Sequence, residues 1–152
     1  MCRRSGLGMV DSMLELLPNA GVYHIGMYKQ NQTAIQYYNR LLRECNADVA
    51  YVLDPLLASA KTMGVVVSIL KKWGVPKINI VTVIASKEGL EVINKNHEDV
   101  SITVGEVDDE VTEKGNILPG LGDSGDRLYG TPLIEDDEDL MHISKRKRSI
   151  DA

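Results

Sequence analysis

Apolar positions fall into two alternating rhythms along this chain. From Gly8 to Leu17 they recur at Met9, Val10, Met13, Leu14, Leu16 and Leu17, a helical spacing closed by Pro18-Asn19. Val22 to Met27 is a short β-leaning run, and Val49 to Leu53 is a compact apolar strand. Between them, Tyr37 to Cys45 reads two ways, one being a helix with Tyr38, Leu41, Leu42 and Cys45 on its face. Thr62 to Trp73 carries helical spacing and ends at Gly74-Val75-Pro76, residues that stop a helix. Lys77 to Ala85 (KINIVTVIA) is β-branched and nearly continuous, the signature of a strand covered on both faces. Ser86 is placed to cap a helix through Asn96, with Glu88 and Glu91 in its first turns, and Val100 to Val104 is a further strand. Strand–helix–strand–helix–strand predicts an α/β fold with a parallel sheet flanked by helices and right-handed crossovers.

Two segments break these rhythms. Residues 116–130, NILPGLGDSGDRLYG, hold Gly120, Gly122, Gly125 and Gly130 in one short stretch. Beyond them, EDDED at 135–139 and KRKR at 145–148 segregate charge. Residues 1–133 therefore read as one domain, and residues 134–152 as a disordered charged tail.

Composition narrows the function. A chain of 152 residues with 43% hydrophobic content suits a single core, and the absence of phenylalanine leaves Val, Ile, Leu and Met to fill it. The net charge of −5 argues against bulk nucleic-acid binding, though local cations still permit an anionic small ligand. Cys2 and Cys45 are too few for a disulfide framework, no apolar stretch is long enough for a bilayer, and no leader pattern is visible. A cytoplasmic protein is expected. His24, His97 and His142 lack zinc-site spacing, and no resident metal site is expected.

The candidate chemistry lies first in residues 54–62, DPLLASAKT. A strand ending at Asp54, a loop of small and hydroxyl residues and then a helix is a geometry that holds anions. The first helical amides lack internal partners, and the helix dipole places partial positive charge beside them. Ser59, Thr62 and the Lys61 ammonium are placed to complete a phosphate site, and Asp54 falls at the strand end where open α/β sheets bind ligands. The same residue types are common in plain βα turns, and the segment is not a Walker A loop, because residues 54–62 contain no glycine. The second candidate is the glycine-rich stretch, where Asp123 and Asp126 add oxygen donors; a tight loop is its structural alternative. Arg4, ahead of Gly6 and Gly8, and Lys29, after a strand, are further anion-binding candidates.

Taken together, RSGLGM (4–9), GMYK (26–29), LDPLLAS (53–59), Lys87-Glu88-Gly89, HEDV and its strand (97–104) and ILPGLGDSGDRLYG (117–130) resemble the uracil phosphoribosyltransferase family over about residues 3–130. The resemblance implies a type I phosphoribosyltransferase fold. It implies that uracil and phosphoribosyl pyrophosphate give UMP and pyrophosphate in pyrimidine salvage, with Mg²⁺ arriving on the substrate's pyrophosphate. It further implies that Asp54 faces the ribose hydroxyls and that residues 54–62 (Asp54, Pro55, Leu56, Leu57, Ala58, Ser59, Ala60, Lys61, Thr62) bind phosphoribosyl pyrophosphate. Arg4 and Lys29 would lie on the pyrophosphate side, Asp123 would help hold the diphosphate and its metal, and Ile117, Gly122, Asp123 and Ser124 would read uracil. Asp54 and Asp123 are the candidate catalytic residues, and a homo-oligomer is the expected assembly.

The sequence departs from the family pattern at several positions. The usual phosphate loop ends Thr-Gly-Gly-Ser, whereas here it is Ser59-Ala60-Lys61-Thr62, nearer the Gly-Lys-Thr ending of purine phosphoribosyltransferases. Lys29 stands in place of an arginine, and Asn116 in place of an aromatic residue. The family carries sheet elements ahead of the Arg4 segment, so an exposed sheet edge is expected here. An alternative reading is a catalytically weak or inactive phosphoribosyltransferase-fold protein that binds a nucleotide or regulates a partner.

Overall fold

A computed structural model describes residues 4–30, 33–112 and 115–131; the side chains of Arg4, Lys29 and Gln30 and the tail after residue 131 lie outside the described residues. A 3₁₀ segment, Arg4–Met9, leads into α1 (Val10–Leu16). An antiparallel hairpin follows, β1 (Ile25–Gln30) with β2 (Thr33–Asn39). Next come β3 (Val49–Leu53), β4 (Leu56–Leu57), α2 (Lys61–Trp73), β5 (Lys77–Ser86), α3 (Lys87–Asn96) and β6 (Ser101–Asp108). A short antiparallel pair, β7 (Glu110–Val111) and β8 (Ile117–Leu118), and then α4 (Ser124–Tyr129) close the described chain.

The parallel sheet forms as the β-branched runs predict, with β5 at its centre. β6 takes one edge of β5, and β3 and β4 share the other, β3 along Lys77–Val81 and β4 along Ile84–Ala85. α2 lays Met63, Val66, Val67 and Leu70 onto the core, the i, i+3, i+4, i+7 stripe of a half-buried helix. It stops at Gly74, whose φ of 96° and amide bonds to the Leu70 and Lys71 carbonyls form a left-handed cap. α3 starts as predicted at Ser86, whose hydroxyl accepts from the Gly89 amide at 2.9 Å.

The segment that read two ways is not helical. Residues 33–39 form the outer strand of the hairpin, and residues 40–48 are irregular. TAIQYYN, rich in β-branched and aromatic residues, pairs with β1 while most of its side chains stay exposed, so it offers no buried stripe for a helix. The 117–130 stretch, expected as a loop, also gains a short helix, α4, capped by Asp123. No helix among the described residues is long and apolar enough to cross a membrane.

Among the described residues β3 pairs with β5 alone, so its other edge is the exposed edge anticipated from the sequence. That edge faces a cavity of about 740 Å³ lined by Met13, Leu14 and Leu17, the whole of β3, Leu70 and Trp73. The Asp54 amide donates to Val81 of β5 at 3.2 Å. Strand alternation then turns the Ala50 and Val52 amides toward β5 and those of Val49 and Tyr51 toward the cavity. Amide hydrogen exchange checks this arrangement: Tyr51 should exchange at least about tenfold faster than Ala50 and Val52, and equal protection along β3 would contradict it.

Candidate functional site

Asp54 and Pro55 interrupt what would otherwise be one strand beside β5. The Pro55 carbonyl accepts from both the Val83 amide at 3.1 Å and the Ile84 amide at 3.0 Å. This break leaves Asp54 at the carboxyl end of β3, buried to 7% exposure, before the chain rejoins the sheet as β4. The Leu56 amide approaches the Asp54 Oδ1 at 3.5 Å. Pro55 itself is buried beneath the loop and does not line the cavity described next.

Residues 58–62 then turn into α2. The Ser86 hydroxyl, fully buried, donates to the Ala58 carbonyl at 2.8 Å while it caps α3. Gly89 is what allows that proximity: a Cβ there would stand 2.1 Å from the Ala58 oxygen and 2.9 Å from the Leu57 oxygen. The loop is thus clamped against the first turn of α3. Ala60, at the N-cap of α2, adopts φ 56°, a left-handed conformation in which a side chain costs about 1–2 kcal/mol. One of the two positions where the family usually carries glycine is therefore strained here. Lys61 opens α2 and is exposed. The Thr62 hydroxyl oxygen is buried with no hydrogen-bond partner among the described residues, and a buried polar atom normally has one.

The second half of the site comes from the glycine-rich stretch. β7 and β8 pair, the chain turns at Gly120 (φ 47°) and Gly122 (φ 74°), and Asp123 caps α4. The Asp123 Oδ1 accepts from the Gly125 amide at 2.8 Å and the Asp126 amide at 3.1 Å. The Arg127 guanidinium donates to the Leu121 carbonyl at 2.8 Å and fixes the turn from the helix side. At the neighbouring end of the sheet, Lys87 pairs with Asp109 at 2.6 Å. The hydrogen bond to Asp109 holds the Lys87 ammonium above its ordinary value.

These two segments meet in a cavity of about 190 Å³. One wall is Asp54 and Leu56 through Met63; the other is Gly115–Ile117 and Gly122–Ser124, with Ser5 between them. Asp54, Leu56, Leu57, Ala58, Ser59, Ala60, Lys61, Thr62, Ile117, Gly122, Asp123 and Ser124 were singled out from the sequence, and all line it. Arg4 and Lys29 contribute backbone only to this description, Arg4 in the 3₁₀ segment and Lys29 opposite Ala34 in the hairpin. Ser5, 4% exposed, was missed; its place in RSGLGM directly after Arg4 was the available signal. The cavity combines a helix N-terminus, hydroxyls, one ammonium and the Asp54 carboxylate on one wall with the Asp123 carboxylate and a glycine turn on the other. Among the described residues no group of three or more His, Cys, Asp or Glu side chains gathers as a metal cage.

An α/β protein with an anion-type loop after one parallel strand and a glycine turn facing it is the class that this geometry defines. A family model described as uracil phosphoribosyltransferase matches residues 3–131. Proteins named uracil phosphoribosyltransferase from Roseiflexus sp. (strain RS-1) and Thermosipho africanus are 44% and 46% identical to it over 130 residues. Each alignment covers 84% of this chain and 62% of the relative, so the chain spans about 62% of the length of these curated relatives. A solved structure, that of the AQ2163 protein from Aquifex aeolicus, superposes with a TM-score of 0.82 at 36% identity, covering 87% of this chain and 64% of that one. The chain belongs to the uracil phosphoribosyltransferase family.

Three substitutions test the loop mechanics. Gly89→Ala should lower stability in urea denaturation by about 1–3 kcal/mol, because backbone must move to admit the methyl group. Gly64→Ala, where only the His97 Nε2 lies within reach at 3.7 Å, should be neutral or stabilising. Ala60→Gly should raise stability by roughly 0.5–1 kcal/mol, the relief of left-handed strain less the extra unfolded-state entropy of glycine. A loss of stability would contradict the φ assigned to Ala60.

Proposed function

We propose that this protein transfers the phosphoribosyl group of phosphoribosyl pyrophosphate to uracil, giving UMP and pyrophosphate in pyrimidine salvage, and that it does so in the cytoplasm as a homo-oligomer. The observation that carries this reading is the convergence of the Asp54–Thr62 loop and the Ile117–Ser124 turn on one cavity, although more than fifty residues separate them in the chain.

The parts divide the work by their chemistry. The amides opening α2, with the Ser59 and Thr62 hydroxyls, receive the 5′-phosphate, and the partnerless Thr62 oxygen gains there the hydrogen bond it otherwise lacks. Lys61 adds positive charge at the mouth, with Arg4 and Lys29 on the pyrophosphate side. Asp54, held at the end of β3, accepts from the ribose hydroxyls. Asp123 faces the diphosphate and the Mg²⁺ that arrives with it, and a carboxylate is a suitable hard-oxygen partner for that ion. The turn at Gly120–Gly122 brings backbone close enough to read the edge of a planar base, alongside Ile117 and Ser124.

In the transfer, the bond from C1′ to the pyrophosphate oxygen breaks, the bond from C1′ to uracil N1 forms, and the N1 proton leaves to the departing pyrophosphate. The ribose carries oxocarbenium-like charge between the two events. No side-chain nucleophile is needed; positioning and charge supply the acceleration. Asp54 lies beside the ribose, where its negative charge favours that cation.

Radiolabelled uracil with phosphoribosyl pyrophosphate and Mg²⁺, scored for UMP, tests the reading. Formation of UMP is expected, and its absence with folded protein would overturn the activity. Asp123→Asn keeps an oxygen to cap α4 and removes only the charge. It should lower kcat/KM by about 100-fold or more with the melting temperature nearly unchanged. Wild-type turnover in that variant would remove Asp123 from the site.

A further inference from the structure

We propose that Asp108, a residue outside the cavity lining, positions the turn that reads the base, and so governs affinity for uracil without touching it. This inference rests on the activity proposed above. Asp108 is the last residue of β6, half-buried at the carboxyl end of the sheet. Its Oδ2 accepts from the Gly120 amide at 2.9 Å, a bond that spans twelve residues and joins the sheet to the glycine turn.

Gly120 is the point where that turn doubles back. Its φ is 47°, and a Cβ there would fall 2.1 Å from the Ile117 oxygen, so the backbone folds tightly onto itself. The residues on either side of the fold, Ile117 and Gly122, both line the cavity. The β7–β8 pairing that precedes the turn is only two residues long in each strand, too short to fix the turn's position alone. On the far side Arg127 grips Leu121, but from α4, which packs on the 3₁₀ segment. Asp108 thus ties the turn directly to the end of β6 by a side-chain hydrogen bond, and through the sheet to Asp54 and the phosphate loop. A hydrogen bond to a charged acceptor is worth enough to shift an ordered turn by a factor of ten or more.

The same geometry separates the two substrates. The loop after β3 joins the edge of β5 opposite β6, through β4. Its clamp residue Ser86 is the ladder partner of Asp108, but the Ser86 hydroxyl goes to the Ala58 carbonyl and the Gly89 amide and not to the Asp108 carboxylate. Releasing Gly120 thus disturbs the base wall and leaves the phosphate wall in place.

Asp108→Ala and Asp108→Asn test this with full kinetics and amide exchange. In Asp108→Ala, KM for uracil should rise about tenfold or more, KM for phosphoribosyl pyrophosphate should stay within about twofold, and exchange at Gly120 should accelerate. Asn keeps an acceptor oxygen and should recover most of the uracil KM. Unchanged uracil KM, equal rises in both KM values, or an Asn variant as impaired as Ala would each overturn the proposal. Should the Ala variant fail to fold, Asp108→Leu, which branches at Cγ as aspartate does but offers no acceptor to Gly120, takes its place. If the wild-type chain forms no UMP, the activity reading fails by itself; accelerated exchange at Gly120 then still supports the positioning role, and unchanged exchange overturns it.

Discussion

Everything at the site depends on one close approach: the carbonyls of Leu57 and Ala58 lie against the first turn of α3 at Gly89, with the Ser86 hydroxyl bridging the two. Ser86 serves two backbone groups at once, accepting from one and donating to the other, and is fully buried while doing so. A loop tied in this way cannot drift from the sheet without leaving a buried hydroxyl and a helix end unsatisfied. The tie sits at the carboxyl end of the central strand, where each crossover of a parallel sheet delivers its loop. The sheet's topology and the placement of the anion site are therefore consequences of the same junction.

The strained Ala60 belongs to this clamp. Upstream, Ser86 fixes Ala58; downstream, α2 is fixed by its core stripe of Met63, Val66, Val67 and Leu70. The two residues between must join endpoints that neither can move, and the left-handed geometry at position 60 is the result. Local strain of this kind persists only where the surroundings over-determine the backbone. The site accepts an alanine at a glycine-like position because the packing on both sides outweighs a cost of about 1–2 kcal/mol.

Much of this was legible in the sequence because it rests on burial. The continuous β-branched run at Lys77–Ala85 announced a central strand, the Gly74-Val75-Pro76 stop fixed the end of α2, and Ser86 announced the next helix. The two site segments were legible for a different reason: residue types suited to anions and tight turns cluster in each. Their meeting in one cavity is a tertiary fact that no local pattern contains. The outer strand at Thr33–Asn39 escaped because both its faces are largely exposed, so neither rhythm is imposed on it. α4 escaped because glycine density suppresses helix signals, and Asp123, which caps it, was singled out as an oxygen donor and not as a cap. Asp108 reads in sequence as one more acid in a charged run; its meaning lies in an amide twelve residues away. Ser5 is likewise defined by its place in space.

Among the described residues the outer side of β3 has no strand partner, which carries a consequence for handling this chain. Outward-facing main-chain donors and acceptors beside an oily hollow form a template on which any extended peptide can lay down another strand. Colloidal behaviour should then follow occupancy of that groove more closely than the net negative charge of the molecule.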